Sequence, residues 1–144
     1  MEHIGTWTWF DHTADIGLSV SAPSLPSLFA TAATALFDLL IESEPTPAEP
    51  PLTQRTLTIR ADDSTDLLVR WLAELLYLHE TEQLIFRQLT VTDQSEQRLV
   101  GIVSWEVFDD AYHRVRREIK GITYHQACVE KTSTGWQARL VLDV

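Results

Sequence analysis

The sequence predicts an α+β fold: one domain over residues 1–144, a mainly antiparallel β-sheet with two helices packed on one face. Three observations predict it. Apolar residues recur at helical spacing in two stretches, around residues 25–40 and 64–79. Elsewhere they alternate with polar residues at the period of a strand. The two helical stretches bracket one strand, and the chain beyond residue 84 is rich in strands and turns, an order that favours antiparallel pairing over crossover units.

Taken in order, residues 7–10 and 15–20 are short strands separated by a turn at His12 and Thr13. In the second, Ile16, Leu18 and Val20 point one way and Asp15, Gly17 and Ser19 the other. Ser24 is an N-cap. Leu25, Leu28, Phe29, Ala32, Leu36, Leu39 and Leu40 then place a helix over 25–40. Four prolines in 44–51 make that stretch an exposed, polyproline-like loop. Residues 52–60 alternate at Leu57 and Ile59 and form a strand. Asp63 or Ser64 caps the second helix, whose buried stripe is Leu67, Leu68, Trp71, Leu72, Leu75, Leu76 and His79. Residues 85–92 and 98–108 form a hairpin closed around Gln94, Ser95 and Glu96, and Asp109, Asp110 and Ala111 a further turn. Residues 119–131 and 136–144 form a second hairpin. In its last strand Trp136, Ala138, Leu140 and Leu142 share one face, and Gln137, Arg139 and Asp143 take the other. Helices on one sheet face leave the opposite face to these polar residues.

Composition narrows the function classes. The single cysteine, Cys128, excludes a disulfide framework and suits a reducing, cytoplasmic setting. Cys128 shares an apolar face with Ile122 and Tyr124 and is expected to be buried. Residues 1–5 show no secretory pattern, and no apolar run reaches membrane-spanning length. The formal net charge of −10 argues against stable nucleic-acid binding and favours docking onto a basic protein surface. Solubility alone explains such a charge equally well. No glycine-rich phosphate loop occurs, and the five tryptophans fall mostly on apolar faces as core residues.

The chemistry-bearing candidates are acidic. Asp15 and Asp143 lie on the polar faces of amphipathic strands, and Val144 is expected to add a free terminal carboxylate. If the two strands are neighbours, three anionic groups converge, and such a cluster repels itself unless a hard cation sits in it. Oxygen donors select calcium, with magnesium or manganese as alternatives. On spacing alone, an aspartate entering a strand is more often a turn residue than a ligand. His12 and His125 are candidates for metal or proton chemistry, and equally for plain turn and strand roles; His79 and His113 carry weaker signals. Arg114, Arg116, Arg117 and Lys120 form a local basic run that suits a phosphate, an acidic partner or a solvated face.

Several segments form one collinear pattern: Phe10-Asp11-His12-Thr13-Ala14-Asp15-Ile16-Gly17, then Ala32-Ala33-Thr34-Ala35-Leu36-Phe37, then the helix from Asp66 through Trp71 to Tyr77. Glu118-Ile119-Lys120-Gly121-Ile122-Thr123-Tyr124-His125 and the closing Val141-Leu142-Asp143-Val144 complete it. Together they resemble the archease family, the accessory proteins of the RNA ligase that joins tRNA halves. The family usually carries alanine where Gly121 stands. The resemblance implies a non-catalytic activator of a GTP-dependent RNA ligase, promoting guanylylation of the ligase and its multiple turnover. It implies that Asp15 and Asp143 are metal ligands and that Lys120 matters for activation, with His12 nearby. Two other readings remain. One is a metal-dependent phosphoester hydrolase in which Asp15, Asp143 and His12 hold a water-activating cation. The other is a chaperone-like structural domain whose metal serves stability.

Overall fold

The computed structural model describes residues 5–12 and 15–144, apart from the side chain of His12. The turn residue Thr13, its neighbour Ala14, and the segment 1–4 read above for a secretory pattern lie outside the described residues. The chain opens with β1 (Thr6–His12) and β2 (Asp15–Ala22), then α1 (Leu25–Leu40), β3 (Ile41–Ser43) and β4 (Thr53–Arg60). It continues through α2 (Ser64–Glu82), β5 (Leu84–Gln94), β6 (Arg98–Val107), β7 (His113–Val115), β8 (Gly121–Thr132) and β9 (Gly135–Asp143). All strand pairs among the described residues are antiparallel. The expected α+β class is met. Strands lie in a four-stranded sheet of order β1-β2-β9-β8, a three-stranded sheet of order β4-β6-β5, and a β3-β7 ribbon.

The helices form where the sequence places them because each start is capped. Ser24 accepts from the Ser27 amide (3.2 Å), and the Ser27 hydroxyl accepts from the Ser24 amide (3.1 Å), a reciprocal box that satisfies two otherwise orphaned donors. The Asp63 carboxylate accepts from the Asp66 amide (2.8 Å), and Gln83 ends α2 in the left-handed region at φ 56°. Each helix touches both main sheets, so one face of each sheet is covered and the other is solvated. Trp71 joins the helices: its ring is fully buried and its indole N–H donates to the Phe29 carbonyl (3.0 Å). Among the described residues no helix is long and apolar enough to cross a membrane.

Three details depart from the sequence reading. The ribbon strands β3 and β7 are three residues each, too short for an alternating pattern to register. His79, expected in the buried stripe, is only half-buried and bonds through Nδ1 to the Leu84 carbonyl (2.7 Å). Cys128 is exposed, not buried. Thr123 pairs with Val141 but Cys128 with Arg139, so five residues of β8 advance against two of β9. Gln126, at φ 56°, turns the chain within this bulge. The odd number of extra residues flips the parity, so Cys128 takes the face opposite to Ile122.

Candidate functional site

The expected convergence of Asp15 and Asp143 is set by backbone register. β2 and β9 are hydrogen-bonded neighbours, and Asp15 and Asp143 are direct cross-strand partners. His12 lies opposite Asp15 on β1, and Gly121 lies opposite Asp143 on β8. His12, Asp15, Asp143 and Gly121 therefore form one row across all four strands at one end of the sheet. Asp15 and Asp143 share a face, and this is the face turned away from Ile16 and Leu142, which are buried. Directly opposed carboxylates repel.

The next row on this face of the strands holds the first in place. Phe10, Gly17, Val141 and Thr123 are partners across the same strands. A β-carbon on Gly17 would lie 2.0 Å from the Phe10 ring, so the glycine is the space the ring occupies. The Arg139 guanidinium stacks over that ring, 4.7 Å from its centroid, and Val141 is 2% exposed although it points outward. The opening motif is thus a hairpin in which Phe10 over Gly17 anchors the pairing that positions Asp15.

Lys120 precedes β8 and is exposed; its amide donates to the Asp143 carbonyl (2.7 Å), extending the ladder by one bond. Val144 packs half-buried against the core, which draws its main chain alongside Asp143. At Gly121, the departure from the family's alanine, a β-carbon would meet nothing within 4 Å, so either residue fits there. Among the described residues, no three His, Cys, Asp or Glu side chains form a group able to hold a metal. Of the expected set, Asp15 and Asp143 contribute two such side chains. His12's side chain lies outside the described residues. His125 is not in the row; it sits exposed in the β8 bulge. Beside it, Tyr124 donates to Asp66 Oδ1 (2.6 Å). This bond, then the Asp62 amide and Arg70, holds the Asp66 carboxyl below its usual range.

A second polar cluster escapes sequence reasoning. Glu106 and His113 are 4% and 5% exposed. The Asp109 amide donates to His113 Nδ1 (2.9 Å), so Nε2 carries the proton and donates to Glu106 Oε1 (2.7 Å). Arg87 Nη2 donates to the same oxygen. Burial pushes the Glu106 carboxyl up, but the hydrogen bonds from Arg87 and His113 outweigh it and hold it below the ordinary glutamate range. The one signal that points to it is a glutamate inside the apolar run from Ile102 to Phe108.

The Archease protein family model matches residues 7–144 of this chain. The chain belongs to the archease family. The Methanosarcina mazei archease is 33% identical over 142 residues, spanning 96% of this chain and 95% of that protein. The Pyrococcus furiosus archease is also 33% identical, over 96% and 98%. A solution structure of a Methanobacterium thermoautotrophicum protein superposes with a TM-score of 0.72 at 26% identity, covering 96% of this chain and 98% of that one. A crystal structure of a Thermotoga maritima archease, described as a possible chaperone, shares the fold with a TM-score of 0.65 at 17% identity, covering 94% of both. In this archease the matched segment includes both aspartates of the row and Lys120.

Proposed function

We propose that this archease is a non-catalytic accessory protein that activates a GTP-dependent RNA ligase. On this reading the row of Asp15 and Asp143 is its working end. The observation that carries it is the direct pairing of Asp15 with Asp143 on a solvated sheet face. Two like charges fixed opposite each other by a backbone ladder are costly, and hard oxygen donors in that arrangement suit a divalent cation, calcium or magnesium. When bound, the cation supplies the charge that lets these carboxylates stand together. The protein's own residues do the rest. Phe10 over Gly17 holds the β1–β2 hairpin in register. Lys120, whose amide bonds the Asp143 carbonyl, offers an exposed cation at this end of the sheet for phosphate or acidic groups of the partner. The net charge of −10 steers the protein toward a basic surface and disfavours direct RNA binding.

The test is reconstitution with a GTP-dependent RNA ligase, reading ligase guanylylation and multiple-turnover joining with and without divalent metal. The proposal expects acceleration by the wild type and none by a folded Asp143→Ala variant. Full activation by that variant would contradict it. Phosphoester hydrolysis by the protein alone, lost in the same variant, would establish the hydrolase reading in its place.

A further inference from the structure

A cleft of about 310 Å³ opens on the molecule's flank, lined by Thr34, Asp38, Ser43, Arg87 and Arg116 with Phe37 and Ile85 among its apolar walls. It does not include any residue of the Asp15–Asp143 row. We propose that this cleft is a binding site for a single phosphate group, read by the guanidiniums of Arg87 and Arg116. The inference is independent of the ligase reading.

Two observations meet here. The first is how Arg87 is held. It is the extra residue of a bulge in β5, between Phe86, which pairs with Trp105, and Gln88, which pairs with Ser104. Bulges re-aim side chains. Its guanidinium is fixed by Glu106, and Glu106 is fixed in turn by His113, itself oriented by the Asp109 amide. Two almost fully buried polar groups thus serve to orient one partly exposed arginine. An arginine pre-set in this way keeps donors for a second anion, with little rotamer freedom left to lose.

The second observation is Arg116. Its amide donates to the Leu40 carbonyl (2.8 Å) at the end of α1, which pins its backbone beside the cleft. Among the described residues its guanidinium has no carboxylate at ion-pair distance, whereas Arg87 and Arg114 each have one. The cleft has room for a phosphate and a small organic group, at the lower end of ligand-site volumes. The Ser43 hydroxyl adds a donor at its wall, while the Thr34 hydroxyl donates to the Ala30 carbonyl (3.0 Å). Asp38, exposed at the rim, disfavours a long polyanion and restricts the site to one phosphate. A plainer role for Arg116 is to complement the negative end of α1.

Calorimetry and two-dimensional NMR with inorganic phosphate test the proposal, with a 5′-nucleoside monophosphate as a second arm. Phosphate should bind at about millimolar strength, with amide shifts at residues 34, 43, 87 and 116. Arg116→Gln should weaken binding about tenfold, and Arg117→Gln, the adjacent cation outside the cleft, less than twofold. Glu106→Gln should weaken it about threefold while circular dichroism stays native; should that variant unfold, Arg87→Gln carries the same test. Tighter binding of the monophosphate identifies an organic phosphate as the ligand, and equal binding identifies free phosphate. Equal weakening by the Arg116 and Arg117 variants would reduce the effect to diffuse charge and overturn the proposal. So would absence of binding with a stability loss in Arg116→Gln, the signature of the helix-end role.

Discussion

Two polar clusters in this protein are built on opposite principles. In the Asp15–Asp143 row, like charges face each other on a solvated sheet face, fixed by a continuous ladder. In the Arg87–Glu106–His113 cluster, opposite and neutral partners meet in the interior, and the buried carboxylate is satisfied from two sides. The second cluster is complete within the chain, so it stabilises and orients. The first sets two carboxylates against each other, and on our proposal a cation from outside compensates them. The sign of the charges and, on that proposal, the source of their compensation separate the two: the Glu106 carboxylate is bonded by Arg87 and His113 of the same chain.

That contrast can be broken in order of effect. The largest is functional: Asp143→Ala should reduce ligase activation to background while thermal stability without metal changes by less than about 0.5 kcal/mol, since the side chain adds no packing and its loss relieves repulsion. Guanylylation assays paired with melting curves check this.

Next is the buried cluster. Glu106→Ala should cost roughly 3 kcal/mol in denaturant unfolding, because it leaves Arg87 and His113 without their shared acceptor. The same carboxylate gives a pH dependence. Its native pKa is held below the unfolded value, so between the two the unfolded chain binds more protons. The stabilisation is therefore complete above about pH 5 and lost as pH falls below about 4. Urea titrations across that range should show a smaller acid loss in Glu106→Gln than in the wild type, the remainder coming from other lowered carboxyls such as Asp66.

A smaller effect sits under the acidic row. Gly17→Ala should cost about 1–3 kcal/mol, because the new methyl displaces the Phe10 ring and with it the Arg139 stack. Metal affinity should fall with it, since the ring anchors the pairing at Asp15. The smallest is Gly121→Ala, which meets open space and should be neutral or stabilise by up to about 0.5 kcal/mol with activity unchanged. A measured loss there would show that the row needs a bare backbone at its β8 end.

Much of this fold is legible in the sequence, and the reason is periodicity. The bounds of α1 and the Ser24 cap follow from apolar spacing and a capping residue. Asp15 and Asp143 can be placed on outward faces because β2 and β9 run without interruption, so parity counts hold from end to end. Cys128 defeats the same count because β8 does not run so; three extra residues around Gln126 are silent in an alternating pattern. Glu106 escapes notice because its partners, Arg87 and His113, come from different elements, one of them a three-residue strand. A single chain displays local spacing, and a cluster assembled from a bulge, a long strand and a short ribbon has none.

The most direct test of the account is calcium titration by calorimetry of the wild type, Asp15→Ala and Asp143→Ala, each confirmed folded by circular dichroism. The account predicts one site per chain in the wild type and at least tenfold weaker binding in either variant, with a matching loss of calcium-induced thermal stabilisation. Wild-type protein that binds no divalent cation, or variants that bind as tightly as wild type, would contradict it.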